Sequence, residues 1–261
     1  MILLVTPVWK DSERLECFGE DLALTLADGV HGVDGADSIH WVIADDGSEA
    51  EEQKKLQKLY GRLSKIFPDV QLHFADAHRG KGSVVREAWS LYPEAKWVAF
   101  ADADGSLSPK ELIRLIRTAT DSGQSVLAIR KKTATTHVVE SLPRAIAHRL
   151  FILAVKILVG VRCEDPQCGA KVLLGSDYRK VADQLKEAGL AFDAEMLTAL
   201  TACGVEWKEL PVTWIEKDGG KVRPMRDAWG MLAALWKIRV RQRNGEFVNN
   251  YSGLPKTSTS M

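Results

Sequence analysis

The sequence is most informative first for what it lacks. Its 35 Lys and Arg cancel 35 Asp and Glu, so there is no basic excess of the kind a general nucleic-acid binder needs, and no nucleic-acid partner is expected. Cysteine is scarce: Cys17, Cys163, Cys168 and Cys203 include no C-x-x-C pair, and they form no zinc pattern with the six histidines. A disulfide-stapled miniature and a zinc ribbon are excluded, and reduced thiols in a cytoplasmic protein are the expectation. Long apolar runs are missing too, since the stretch from Leu150 to Val161 is interrupted by Lys156, well short of the ~20 residues that span a bilayer. The opening Met1 to Lys10 has no basic n-region and reaches Lys10 and Asp11 too early for a signal peptide, so it reads as a strand. No internal repeat or linker divides the 261 residues, and 46% hydrophobic content suffices for one sizeable core.

What is present is alternation. Short β-rich runs at Ile2 to Thr6, Ile39 to Ala44, Val70 to Ala75, Trp97 to Ala101 and Ser125 to Ile129 are separated by helical patterns. The helices are expected within Ser12 to Ala27, Glu49 to Leu63, Ser83 to Leu91 and Pro109 to Thr120. Such alternation builds βαβ units around a mostly parallel central sheet flanked by helices, an α/β fold. Ser48 with Glu51, and Ser108 with Pro109 and Glu111, read as capping boxes. Further along, helices are expected near Pro143 to Val161, Tyr178 to Ala188, Asp193 to Cys203 and Asp227 to Arg243. Strands are expected at Lys171 to Leu174 and Trp207 to Ile215. One domain over 1–243 and a flexible tail over 244–261 are expected.

Ligands of open α/β sheets bind beyond the carboxyl ends of the strands. There the sequence offers Thr6-Pro7-Val8-Trp9, Asp45-Asp46-Gly47-Ser48, His78-Arg79-Gly80-Lys81-Gly82 and Asp102-Ala103-Asp104-Gly105-Ser106. For Asp45 or Asp46 alone, a turn with helix-dipole compensation is the simpler account. Asp102 and Asp104 are different, because two carboxylates at i, i+2 after an apolar strand repel unless a hard cation such as Mg²⁺ or Mn²⁺ joins them. An EF-hand is excluded, with glycine directly after the second Asp and Ile113 where glutamate is required. The Gly80-Lys81-Gly82 turn lacks the upstream glycine of a P-loop. As a dinucleotide fingerprint it has Val85 in place of the third glycine.

In order and spacing these loops resemble family 2 glycosyltransferases of the GT-A fold, and most closely the polyprenyl-phosphate sugar transferases of the glucosyl type. The resemblance runs from residue 2 to about 230. It rests on Asp45-Asp46-Gly47-Ser48, Gly80-Lys81-Gly82 with Arg86, Phe100 to Gly105, Asp165-Pro-Gln-Cys-Gly-Ala-Lys171, Phe192-Asp-Ala-Glu-Met-Leu197, and Pro211 to Glu216 leading to Gly219-Gly-Lys-Val222. It implies that Pro7, Val8, Trp9, Asp11, Asp45, Asp46, Lys81, Asp102 and Ala103 meet a nucleotide-diphosphate sugar. Asp102 and Asp104 would bind Mg²⁺ or Mn²⁺, with Asp104, Asp165 and Gln167 at the reaction centre. Arg130 and Arg144 match arginines that bind phosphate, and Lys221 and Arg223 lie in a Gly-rich loop suited to closing over the diphosphate. Pro-Val-Trp-Lys-Asp11 departs from the family's Pro-Ala-Tyr-Asn-Glu, and His78-Arg79 stands where asparagine is common.

The zero net charge hides a division: residues 1–125 hold 21 acidic and 14 basic side chains, net −7, and residues 126–261 hold 14 and 21, net +7. The acidic half would take the nucleotide sugar and the basic half the acceptor. For the Arg144 to Val161 helix, composition slightly favours a core role. The resemblance shifts this toward an interfacial helix. The last helix places Trp229, Leu232, Ala233, Trp236 and Val240 on one face and ends in Lys237, Arg239, Arg241 and Arg243, a pattern suited to an anionic membrane surface. The expectation is an inverting, metal-dependent transfer of a hexose, glucose from UDP-glucose, to a polyprenyl phosphate by a protein peripheral to the cytoplasmic membrane face. A soluble saccharide acceptor, with Asp165 as general base, is the alternative. A silent nucleotide-binding scaffold and a dinucleotide oxidoreductase follow.

Overall fold

The protein is described by a computed structural model over residues 1–29, 38–217, 219 and 224–247. Its main sheet contains β1 (Ile2–Val8), β2 (Ile39–Asp45), β3 (Val70–Phe74), β4 (Trp97–Ala101), β5 (Ser125–Arg130), β7 (Ala170–Leu174) and β8 (Trp207–Val212). The order across the sheet is β3-β2-β1-β4-β7-β5-β8. Every pairing is parallel except the two made by β7, which runs antiparallel to both β4 and β5. Around it pack α1 (Ser12–Gly29), α2 (Ala50–Ile66), α3 (Lys81–Ser90), α4 (Pro109–Ser122), α5 (Leu142–Val159), α6 (Gly175–Val181), α7 (Phe192–Ala202) and α8 (Pro224–Arg243).

Strand alternation divides the core between the two faces of this sheet. Leu3 and Val5 of β1 join Val98 and Phe100 of β4 in one apolar cluster, with residues of α3, α5, α7 and α8. Ile2 and Leu4 join Trp97 and Ala99 in the other, with residues of α1, α2 and α4. A sheet covered on both faces needs near-continuous apolar strands, which is why these runs were readable. The polar ends of the strands are left as the surface where loops gather.

The α4 start follows the sequence expectation in part: Ser108 accepts a hydrogen bond from the Glu111 amide at 3.4 Å, and Pro109 stands in the first turn. Ser48 does not cap α2. Its hydroxyl accepts the Lys10 amide at 2.8 Å, the cap position is Glu49, and no side chain caps this helix. The single strand expected over Trp207 to Ile215 is two, because the chain leaves the main sheet at Thr213. Trp214–Ile215 (β9) then pairs with Val138–Val139 (β6), a short strand with no sequence signal. The helix expected over Tyr178 to Ala188 ends at Val181 and tightens into a 3-10 turn at Ala182–Gln184.

Candidate active site

The ends of β1, β2 and β4 form one edge, and the reversed direction of β7 delivers the segment 165–169 to the same edge. Beyond β2, Asp46 is a fastener. Its carboxylate accepts the Arg79 amide at 2.9 Å and the Gly80 amide at 2.7 Å, and it lies 2.7 Å from His78 Nδ1. Gly80 has φ +114°, and a Cβ there would meet the Ala188 carbonyl at 2.5 Å, so only glycine lets the turn lie this close to the 184–191 segment. Trp9 stacks on the His78 ring, with centroids 4.0 Å apart and planes 13° from parallel. Asp45 is buried and accepts the Ser48 amide at 2.9 Å. Asp11 pairs with Arg14, whose guanidinium also lies 3.9 Å from Asp104. Val8 and Ala103 are buried side chains, and Pro7 is half-buried.

Beneath the D-x-D lies a compact charge cluster. The Lys81 ammonium is 2.7 Å from Asp102 Oδ1, 3.7 Å from Asp193 Oδ2 and 4.5 Å from the centre of the Phe100 ring. Lys171, wholly buried, is 2.7 Å from Asp193 Oδ1, donates to the Cys168 carbonyl at 2.9 Å and lies 5.3 Å from the same ring. Burial works against the charge on Lys81, but Asp102 and Asp193 outweigh it, so its pKa stands above the ordinary lysine value. Burial pushes the Asp102 carboxyl up, Lys81 pulls it down, and the neighbouring Asp104 and Asp193 push it up again, leaving it raised.

This cluster fits a hard divalent cation. Asp11, Asp102, Asp104 and Asp193 share three cations, Arg14, Lys81 and Lys171, so one carboxylate charge is left over for a cation to relieve. Asp104 Oδ1 accepts the Ser106 amide at 2.9 Å, which orients it. Among the described residues no group of three or more His, Cys, Asp or Glu is placed to hold a metal ion, so any cation here rests on the two carboxylates of the D-x-D. Gly169 backs Asp102 so closely that a Cβ would lie 2.3 Å from its Oδ2.

Across the 165–169 segment, Arg130 and Asp165 form a nearly buried two-pronged pair, Nε to Oδ2 at 2.7 Å and Nη2 to Oδ1 at 2.9 Å. The Arg130 amide, the Gln167 amide and His148 Nε2 complete the Asp165 environment at 3.0, 3.2 and 3.0 Å. Burial opposes ionisation, but Arg130 and then His148 overcome it and hold the Asp165 carboxyl far below the ordinary range. A carboxylate so committed is a poor proton acceptor, which counts against the general-base expectation. Arg130 and Arg144 lie on the Trp214 ring, 5.3 and 5.2 Å from its centre, and Arg144 also donates to Glu216 at 3.2 Å. The Gln167 side chain reaches the Met231 sulfur at 4.0 Å. Lys221 and Arg223 lie outside the described residues. Lys171, Asp193, His148 and Trp214 were not singled out as site residues. A charge inside an apolar run, such as Lys171 in Ala-Lys-Val-Leu-Leu, was the available signal, since a buried charge requires a partner.

Next to this pair, α5 shows two apolar sides. Phe151, Val155 and Val159 face the core, while Leu142, Ile146, Leu150, Leu153 and Ile157 are exposed, Leu142 at 79%. The slight preference of composition for a purely core helix is thereby corrected. α8 lies alongside, with Arg239 donating to the carbonyls of Ile157 and Leu158 and Gln242 to that of Val159. Its Trp229, Leu232, Trp236 and Val240 are exposed, Trp229 at 77%. Two of its terminal cations turn inward, Arg239 onto α5 and Arg241 onto buried Glu195. No helix among the described residues is long and apolar enough to cross a membrane.

The fold is the GT-A fold of glycosyltransferases. The chain's sequence is similar to dolichyl-phosphate β-glucosyltransferases. The Saccharomyces cerevisiae enzyme is 26% identical over 95% of this chain and 76% of its own, and the human enzyme 24% identical over 93% and 76%. Glycosyltransferase AglD of Haloferax volcanii is 24% identical over 84% of this chain and 35% of its own. Among solved structures, glucosyl-3-phosphoglycerate synthase from Mycobacterium tuberculosis, in complex with Mn²⁺, UDP and phosphoglyceric acid, superimposes with a TM-score of 0.61. It is 13% identical over all of this chain and 81% of its own. The same enzyme with Mg²⁺ and UDP gives 0.58, at 14% identity over 94% of this chain and 79% of its own. No protein-family model matches the chain.

Proposed function

We propose that the protein is an inverting, metal-dependent hexosyltransferase that moves glucose from UDP-glucose to a polyprenyl phosphate at the cytoplasmic face of a membrane. The observation that carries the lipid acceptor is the adjacency of Arg144 to the exposed apolar row of α5. A phosphate seated by Arg130 and Arg144 would leave its prenyl chain beside Leu142 and Ile146. The names of the similar dolichyl-phosphate enzymes support the same class of acceptor.

In this reading residues 1–125 hold the donor, and 126–243 hold the acceptor. Trp9 and the 78–80 turn fastened by Asp46 line the nucleotide end. Asp102 and Asp104 would hold Mg²⁺ or Mn²⁺, whose contribution when bound is to neutralise charge on the departing diphosphate. The Mn²⁺- and Mg²⁺-bound GT-A neighbours support that choice of cofactor. Lys81 adds a positive charge on the same side. A phosphate oxygen attacks the anomeric carbon, a new carbon–oxygen bond forms as the bond to the diphosphate breaks, and UDP leaves. The acceptor, with a second pKa of about 6, is already an anion and needs cations rather than a base. Asp165 serves by holding Arg130 upright, not by taking a proton. The exposed rows of α5 and α8 would rest on the lipid surface, with Lys237 and Arg243 toward anionic headgroups.

The test offers labelled UDP-glucose, UDP-galactose, UDP-N-acetylglucosamine and GDP-mannose with Mg²⁺ or Mn²⁺, with and without polyprenyl phosphate, followed by solvent extraction. Organic-phase label from UDP-glucose, dependent on metal and lipid, is expected. Label confined to water with every donor refutes the lipid acceptor and points to a soluble saccharide.

A further inference from the structure

The D-x-D cluster contains more than a metal site needs. Lys81 occupies Asp102 at 2.7 Å, although Asp102 is the carboxylate proposed to hold the cation. Two positive charges cannot share those oxygens without cost. A second carboxylate waits on the other side of the same ammonium: Asp193 Oδ2 is 3.7 Å away, just beyond hydrogen-bond distance, on a nearly buried side chain. The opposite oxygen of Asp193 lies 2.7 Å from the buried Lys171 ammonium, an ion pair. Phe100 lies close to both ammonium groups, at 4.5 and 5.3 Å from its ring centre, an aromatic surface along which a cation moves without losing all its stabilisation.

We propose that Lys81 is an internal counter-ion that holds Asp102 while the site lacks a divalent cation and is handed to Asp193 when the cation takes Asp102, with Lys171 as the anchor that keeps Asp193 aimed. The required displacement is about 1 Å, from 3.7 Å to an ordinary N⁺–H···O⁻ distance of about 2.8 Å. The handover leaves each charge partnered before and after. Asp102 exchanges one cation for another, and Lys81 exchanges one carboxylate for another. It also sets the ammonium free of Asp102 at the moment the diphosphate arrives. Asp193 and Lys171 are thus positioning residues, touching neither donor nor acceptor.

The inference rests on the proposed role of Asp102 and Asp104, and its test separates the two. Binding of Mn²⁺ alone is followed by loss of the free-ion electron paramagnetic resonance signal, in the intact protein and in Asp104→Asn, Lys81→Gln, Asp193→Asn and the Lys81→Gln/Asp193→Asn double variant. Removing the resident cation should tighten Mn²⁺ about tenfold or more in Lys81→Gln, even though a lysine proposed to serve the donor has been lost. Asp193→Asn should weaken Mn²⁺ in the native background and change it little once Lys81 is gone, because there is then nothing to hand over.

Equal weakening by Asp193→Asn in both backgrounds means a simple field effect and overturns the proposal. So does unchanged or weaker Mn²⁺ binding in Lys81→Gln. If Mn²⁺ binding is measurable but indifferent to Asp104→Asn, the metal site itself is misplaced and both readings fail together. Should Asp193→Asn unfold by leaving Lys171 buried alone, Lys171→Met/Asp193→Asn replaces it in the same cycle.

Discussion

Replacing Asp165 by Asn separates a positioning role from a base most sharply. The substitution keeps the shape and one acceptor oxygen but removes the charge that Arg130 and His148 share. Arg130 has a side chain only 7% exposed, so its guanidinium would be left charged and without its counter-ion inside the protein. Breaking one partner of a buried pair costs about 3–5 kcal/mol. At about 2–4 °C per kcal/mol for a protein of this size, the melting temperature should fall by roughly 6–20 °C. Replacing both partners, as Arg130→Met/Asp165→Leu, should cost less than the sum of the single losses.

The pH dependence has a definite sign. A carboxyl held below its ordinary value of ~3.9 contributes stability that is fully present above that value and is lost as pH falls toward the lowered one. Between pH 8 and 9, above the ordinary histidine range of ~6.5, the gap between native protein and Asp165→Asn should therefore be constant, and from pH 5 to 9 the rate profile should show no ionisation of Asp165. Melting by circular dichroism and initial rates across this range measure both. An Asp165→Asn protein that melts with the native one yet has lost transfer, together with a native rate that falls with an ionisation Asp165→Asn abolishes, would refute the positioning account.

Asp104→Asn should lose metal-dependent transfer by a factor of 100 or more, on the order of one transition-state charge contact. Its melting temperature should change by only a few degrees, since the amide oxygen can still accept the Ser106 amide. Gly169→Ala should weaken Mn²⁺ binding by pushing Asp102 off its position, because the new Cβ would lie 2.3 Å from Oδ2, and isothermal titration reads this directly. Sedimentation with anionic vesicles should show binding that weakens with salt and falls several-fold in Leu150→Glu/Trp236→Glu, two exposed positions whose change should leave the melt intact. Finally, burial raises the Cys163 and Cys168 thiols to about 12. An unfolded chain releases those protons near pH 8.5, so stability should decline above that value as pH rises. A double replacement by Ala should flatten the decline in a melt series from pH 8 to 10.5.

The strands were legible because a sheet covered on both faces needs apolar runs, and Trp97–Ala101 matches its expected bounds. Direction was not legible for Ala170–Leu174, since a five-residue run looks the same from either end and only its connections decide pairing. Nor was β6, whose Val138–Val139 carries no periodicity and exists because Trp214 leaves the main sheet to meet it. In the site, carboxylate positions could be read but not their partners. Asp46 looked like a turn residue or a nucleotide ligand, and it holds the 78–80 turn. Asp165 was a candidate base for a hydroxyl acceptor, and its carboxylate pairs with Arg130, 35 residues earlier in the chain. Long-range pairs of this kind leave no local pattern.

Reversal of β7 has an outcome for change in this molecule. One five-residue turn, 165–169, supplies at its start the carboxylate that fixes Arg130 and at its end the glycine that makes room for Asp102. The Asp102 and Arg130 ends of this edge thus share a hinge pin, and a shift in the turn would disturb both at once. The 165–169 turn is the part to leave untouched when this enzyme is redesigned.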